Sequence, residues 1–321
     1  MTTVYLHIGT PKTGSSSLQT FLFNNRDKLL KKGVLYPLLI KTVTYPQNSG
    51  QKRKKSHHNL HWSLTKDPES IKSYKAYNPM AGDWTDLHKE IDELNPKPDK
   101  IIISAESFYD LLPPENIPLI KKYLKGYKTK IIVCLRNQYE YFRSYYCLRV
   151  KVGYKNSLRQ FILENKAQGD YFQMLSPWSE VFGKENIIVV PYNKNGIIND
   201  FLQKLNIDIE INSDTNADST NFRLGITPDY KVVKAMQIFN KFFPDNRVTI
   251  KLKFAVQDLY KSEAKKKDSK LFNKISQIPD FLISRDLMTE AERVEIMKIF
   301  EDSNKKVAQE YMGKEDGGLF E

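Results

Sequence analysis

The sequence predicts an α/β fold: a central parallel sheet flanked by helices on both faces, with a P-loop-like phosphate-binding loop after the first strand. Three observations predict it. Apolar runs suited to buried parallel strands alternate with segments of helical period along most of the chain. The first run, Val4-Tyr5-Leu6-His7-Ile8, feeds the tight segment Gly9-Thr10-Pro11-Lys12-Thr13-Gly14-Ser15-Ser16-Ser17, which opens into an amphipathic helix. A later run, Lys130–Leu135, ends in Arg136-Asn137-Gln138 and another helix, so both polar motifs fall at the carboxyl ends of strands. Parallel α/β sheets bind phosphate ligands at that edge.

Taken in order, the strand at Val4–Ile8 leads to a helix over 15–32, with Leu18, Phe21, Leu22, Leu29 and Leu30 on one face and Gly33 as its stop. Further strands are predicted at Val34–Tyr36, Ile101–Ser104, Lys130–Leu135 and Ile187–Val190. Helical period marks 85–94, 115–125, 138–150, 157–166, 170–182, 196–205, 229–242 and 289–311. The stretch 38–82 lacks a clear period and is rich in Lys, Ser, Asn and Tyr, which reads as a binding insertion or lid. A second irregular segment, Glu210–Asn221, is expected to close over the ligand. With no internal repeat, residues 1–321 are expected to form a single domain.

Composition narrows the class. A chain of 321 residues with 40% hydrophobic and 27% charged content suits a soluble globular protein with one sizeable core. Cys134, in an apolar strand, and Cys147, on the following helix, are expected to be reduced thiols. No apolar run approaches the roughly 20 residues that span a bilayer, and the first strand leaves no room for a signal peptide. The expected localisation is cytoplasmic. Fifty Lys+Arg against 38 Asp+Glu give a formal charge of +12, which favours anionic partners. The charge is dispersed, with local densities at Lys52-Arg53-Lys54-Lys55, Lys121–Lys130 and Lys265-Lys266-Lys267. No helix-turn-helix, zinc-finger or RNA-recognition signature points to nucleic acid.

The loop at 9–17 carries most of the chemistry. Backbone N–H groups at a helix start lack partners and sit at the positive end of its dipole, so they favour a phosphate. A nucleotide-triphosphate P-loop has Lys then Ser or Thr after its second glycine; here Ser15 and Ser16 stand there, and the lysine, Lys12, lies inside the loop. A kinase would need a lysine at position 15 and an aspartate for magnesium at a strand end, and the sequence offers neither.

Pro-Lys-Thr-Gly-Ser-Ser-Ser at 11–17 resembles the 5′-phosphosulfate loop of sulfotransferases that use 3′-phosphoadenosine 5′-phosphosulfate (PAPS), in their bacterial or carbohydrate-directed form. The resemblance implies that Lys12 meets the bridging oxygen of the phosphosulfate. It assigns Thr13, Gly14, Ser15, Ser16 and Ser17 to the 5′-phosphate and sulfate oxygens. Arg136 at a strand end, with Ser144 eight residues later on a helix, resembles the family's 3′-phosphate site. Phe222–Lys231 partly resembles a third cofactor loop and nominates Arg223, although Leu224 and Pro228 depart from the pattern. Ile187–Tyr192 and Phe300–Tyr311 resemble the family's late strand and closing helix.

Sulfuryl transfer also needs a base for the acceptor proton, and two candidates stand open. Glu106 follows the strand Ile101–Ser104, and Ser-Ala-Glu-Ser at 104–107 resembles the segment carrying a catalytic glutamate in glycan-directed members. The group His57-His58-Asn59-Leu60-His61 offers His58, whose residue type suits proton removal near neutrality. His7, inside the first strand, reads as a core histidine, and no metal set is expected. The expected donor is PAPS, acting without a metal. The expected acceptor is an anionic glycan or glycolipid hydroxyl, less favourably an amine, such as a capsule or lipopolysaccharide precursor. It would be read by Lys52–Lys55 with Tyr45, Trp62, Tyr74 and Tyr77 of the insertion. Such an acceptor allows peripheral contact with a membrane surface. A non-catalytic protein that keeps the nucleotide pocket is the further alternative, and the sequence does not set the oligomeric state.

Overall fold

The computed structural model describes residues 1–38, 56–64, 82–110, 112–210, 230–242 and 287–320. They fall in two compact units, one made of Met1–Arg136, Asp170–Phe222 and Asp302–Glu321, the other of Asn137–Gly169 and Arg223–Glu301. The strands are β1 (Thr3–His7), β2 (Val34–Leu35), β3 (Lys100–Ser104), β4 (Lys128–Leu135) and β5 (Ile187–Pro191). In chain order the helices begin with α1 (Ser15–Asn24), α2 (Arg26–Leu30), α3 (His58–Trp62), α4 (Trp84–Glu93), α5 (Ser107–Asp110), α6 (Ile117–Tyr123) and α7 (Gln138–Lys151). They continue with α8 (Leu158–Glu164), α9 (Tyr171–Phe182), α10 (Ile197–Lys204), α11 (Tyr230–Phe242), α12 (Glu290–Met297) and α13 (Glu301–Met312).

The first unit holds an all-parallel sheet in the order β2-β3-β1-β4-β5. Strand order reverses about β1, so the loop after β1 lies at a topological switch point, the usual ligand crevice of an open α/β sheet. The strands read as near-continuous apolar runs because both faces are covered. Val4, Leu6, Ile101, Ile103, Ile131 and Val133 pack with apolar residues of α4, α6, α9 and α13. Tyr5, Ile102, Ile132 and Cys134 turn the other way, toward Leu18 and Phe21 of α1 and Phe201 of α10. The predicted fold class is the observed one.

The predicted helix over 15–32 divides at Asn25, whose side-chain amide donates to the Phe21 carbonyl at 3.0 Å, competing with the helical ladder. Gly33 stops the segment as expected, with φ +73°. The predicted helix over 289–311 is likewise two helices, α12 and α13, joined by a 3₁₀ turn at Lys298–Phe300.

The second unit is built on an aromatic core. Tyr141, Phe142 and Tyr146 of α7 pack with Phe161 of α8 and with Phe300. Gly169 is required there, since a Cβ would lie 2.6 Å from a ring carbon of Phe300 and 2.8 Å from one of Phe142. Both cysteines are buried free thiols, and burial first, then the charge of Asp200, pushes Cys134 up to about 12.

Candidate active site

The loop after β1 has an unusual backbone. Gly9, Lys12 and Gly14 all take positive φ, at +45°, +68° and +80°. Two of them are glycines, for which that conformation carries no steric penalty, but Lys12 bears roughly 1–2 kcal/mol of strain. Strain of this kind persists where neighbours fix the geometry. Two do so: Arg136 Nη1 donates to the Lys12 carbonyl at 3.0 Å, and Thr13 Oγ1 donates to the Thr10 carbonyl at 2.6 Å. Thr10 Oγ1 in turn donates to the Cys134 carbonyl at 2.7 Å, tying the loop to β4. Left-handed residues at 12 and 14, just before the helix start, are the kind of backbone that can offer N–H groups to an anion.

Gly14 is the N-cap of α1, so no side chain caps the helix. First-turn N–H groups therefore face the loop, where they and the helix dipole suit a phosphate. Ser15 is buried, Ser17 half-buried and Ser16 exposed. Arg136, at the end of β4, lies with its guanidinium 5.0 Å from the centre of the Tyr192 ring, and its carbonyl accepts from Tyr171 Oη at 2.6 Å. Ser144 is half-buried on α7 of the second unit. Arg223, Lys52–Lys55, Tyr45, Tyr74 and Tyr77 lie outside the described residues.

Glu106 follows β3, and its environment explains its charge state. Burial pushes its carboxyl up, but hydrogen bonding and charge from His58, the charge of His7 and the hydroxyl of Ser15 outweigh burial and hold it below the ordinary carboxylate value. His58 Nε2 stands 3.4 Å from Glu106 Oε2, while His58 Nδ1 is 2.8 Å from Ser107 Oγ. The side chains of His58 and Glu106 remain 26% and 25% exposed, so a substrate can reach both.

The histidine group is not the irregular loop its sequence suggests; it forms α3. His57 acts as a strut. Its backbone N–H donates to the Ser104 carbonyl at 2.8 Å, and its Nδ1 accepts from the Ser104 N–H at 2.9 Å. Its Nε2 donates to the Pro37 carbonyl at 3.1 Å. This pairing completes the β3 edge beyond the short β2 and sets the next residue, His58, beside Glu106. Burial pushes His57 down to about 4, with the Pro37 hydrogen bond opposing and the charge of His58 assisting. His61 and Trp62 are buried against each other, so Trp62 does not present a ring for a sugar as expected.

Sequence reasoning missed Ser107 and Tyr192 as parts of this region. Ser107 stood within the quoted Ser-Ala-Glu-Ser segment, and Tyr192 stood at a strand's carboxyl end, which was the available signal for each.

The family model described as the sulfotransferase domain matches residues 4–195, more than half of the chain. An uncharacterised protein of Archaeoglobus fulgidus is 25% identical over 220 residues, which cover 66% of this chain and 54% of that one. The chain thus spans about half the length of that relative. Among solved structures, a sulfotransferase from Alicyclobacillus acidocaldarius aligns with 68% of this chain and 90% of its own, at TM-score 0.38 and 15% identity. Mouse sulfotransferase SULT7A1, complexed with PAP, aligns with 69% of this chain and 64% of its own, at TM-score 0.31 and 16% identity.

Proposed function

The chain belongs to the sulfotransferase domain family, and from that premise we propose that it moves the sulfuryl group of PAPS to a hydroxyl of a glycan or glycolipid, releasing 3′,5′-bisphosphoadenosine. The observation that carries the reading is the pairing, in one unit, of the left-handed loop at Gly9–Gly14 with the ionised Glu106 carboxylate that Ser15 helps to hold.

In this reading the loop N–H groups and the hydroxyls of Thr13, Ser15, Ser16 and Ser17 receive the 5′-phosphate and sulfate oxygens. Arg136, Ser144 and Arg223 are the further nucleotide contacts. Lys12 serves the bridging oxygen. Negative charge grows there as the bond to sulfur breaks, so an ammonium stabilises the transition state more than the ground state. Glu106 takes the acceptor's hydroxyl proton as that oxygen bonds to sulfur. His58, with both ring nitrogens engaged by Glu106 and Ser107, orients the base.

The net charge of +12 supports an anionic acceptor, met at the cytoplasmic side as a capsule or lipopolysaccharide precursor. We read residues 1–321 as one sulfotransferase domain, with 38–82 supplying acceptor contacts. The test is transfer of labelled sulfate from PAPS to a panel of glycans and small alcohols, with calorimetry of 3′,5′-bisphosphoadenosine against magnesium–ATP. Turnover and preference for the bisphosphate are expected. Equal or tighter binding of magnesium–ATP overturns the reading, and bisphosphate binding without turnover on any acceptor leaves a non-catalytic nucleotide-binding protein.

A further inference from the structure

Burying a carboxylate is costly unless it is paired, and the chemistry above gives one such carboxylate no task. Glu90, on α4, has a side chain only 7% exposed. Its Oε1 accepts from Arg26 Nη2 at 2.9 Å. The Leu38 N–H donates to the same carboxylate, 2.9 Å from Oε2 and 3.1 Å from Oε1. Arg26 also holds the chain two residues earlier, since its Nε donates to the Tyr36 carbonyl at 3.1 Å. A planar guanidinium fork makes both bonds at once, which the point charge of a lysine does not.

Between these two anchors stands Pro37, whose carbonyl accepts from His57 Nε2 at 3.1 Å. The Tyr36 ring packs on the His57 ring with centres 4.6 Å apart. His57 is thus held from two sides, by the Ser104 backbone of β3 and by the segment 36–38. The next residue, His58, opens α3, a helix of five residues. A helix that short has little stability of its own, so what grips its ends decides where His58 sits. At the far end α4 acts again, through Trp84 Nε1, which donates to the Leu60 carbonyl at 3.1 Å.

We infer that Arg26 and Glu90 are positioning residues for His58, and through it for Glu106: the buried pair fixes segment 36–38, which seats His57 and so sets His58 beside the carboxylate. The inference rests on Glu106 being the base. A buried ion pair adds little net stability over apolar residues of like volume, and its best-attested use is to select one arrangement among several. Here the selected arrangement is the path of 36–38 past His57. Neither residue touches the reacting atoms.

The experiment uses the full chain with Arg26→Lys and Glu90→Gln. The first keeps the charge opposite Glu90 and loses the fork; the second keeps an oxygen for Leu38 and removes the charge. In each, kcat should fall about tenfold to a hundredfold, the effect of a small misplacement at the reacting centre. Bisphosphoadenosine affinity should keep its wild-type value, because the donor loop is tied to β4 through Thr10. The Glu106 carboxyl, titrated by carbon NMR, should move up by about half a unit as His58 holds it down less well, and the acid limb of kcat should follow. Added to His58→Ala, either variant should lower kcat by less than about twofold more, since all act through one contact. Additive losses, or an unmoved Glu106 titration in a folded variant, overturn the inference. Failure of both variants to fold overturns it as well, because the pair would then serve the fold at large. Glu106→Gln separates the two claims: if it keeps turnover while Arg26→Lys still moves the Glu106 titration, the base assignment fails and the positioning of His58 stands.

Discussion

Arg136 Nη1 donates to the carbonyl of Lys12 at 3.0 Å, so the residue that closes β4 holds the backbone of the loop's one left-handed lysine. Arg136 thus has two duties in the proposed enzyme, a fixed loop and a nucleotide contact. Arg136→Ala should weaken bisphosphoadenosine binding by roughly tenfold to a hundredfold, the worth of one charge-assisted hydrogen bond. Arg136→Lys keeps the charge but loses the planar fork, so it should recover part of the affinity while kcat stays low. Calorimetry and initial rates separate the two effects. A lysine variant with wild-type kcat would show that the tie to Lys12 has no part in turnover.

Lys12 and Glu106 should fail in different ways from Arg136. Lys12→Ala should lose turnover by far more than affinity, since its contact strengthens as the bridging bond breaks. Glu106→Gln keeps shape and removes the base, so transfer should vanish while bisphosphoadenosine still binds. His58→Ala should lower kcat by about tenfold to a hundredfold, as loss of an orienting partner, and Ser107→Ala less.

The sign of the pH effect follows from Glu106 lying below the ordinary carboxylate value. Its carboxylate is present at neutrality and is lost only as pH falls through its own depressed pKa. In the wild type the acid limb of kcat should therefore lie below the ordinary carboxylate range. His58 lowers the Glu106 pKa, so His58→Ala should move that limb upward. Lysine or histidine bases would give an acid limb near or above neutrality, and rate profiles decide between them.

Stability should also depend on pH, through His7 and His57, both pushed down to about 4 chiefly by burial. Each is neutral in the fold and takes a proton in the unfolded chain below about 6.5. The unfolded state then binds more protons, so stability present above that value is lost as pH falls toward 4. Between pH 7 and pH 5 the loss should be roughly 2 kcal/mol per histidine. Urea titrations across that window measure it. His57→Asn retains an acceptor for the Ser104 N–H and should remove about half of the slope, whatever its effect on stability at pH 7.

The strands, the loop and the helices after β1 and β4 were legible because each is set by local pattern. Apolar runs mark strands buried on both faces, and two glycines mark the loop's left turns. The break at Asn25 was less legible, since a side chain competing for one carbonyl leaves the apolar period intact. The place of His58 was not legible at all. It depends on His57 pairing with Ser104, 47 residues away, and on a β2 too short to cover that edge. The burial of Trp62 has the same origin, because α3 packs inward once His57 is docked. Long-range pairing of this kind leaves no period in the sequence.

The acceptor yields the last prediction. Lys52–Lys55 immediately precede the residues that dock on β3, and the chain carries a net +12. An anionic glycan approaching Glu106 and His58 would feel that charge at a distance set by the Debye length, about 10 Å at 0.1 M salt. Raising salt from low to moderate should therefore raise KM for the acceptor while leaving kcat nearly unchanged. Replacing Lys52, Arg53, Lys54 and Lys55 together by glutamine should flatten that response and leave bisphosphoadenosine affinity intact, because the donor is assigned to the loop at 9–17 and to Arg136. If the preferred acceptor is a small neutral alcohol whose KM ignores salt, the anionic glycan is excluded and the basic segment has another purpose. Sulfuryl transfer itself would stand, since it rests on the donor loop and Glu106.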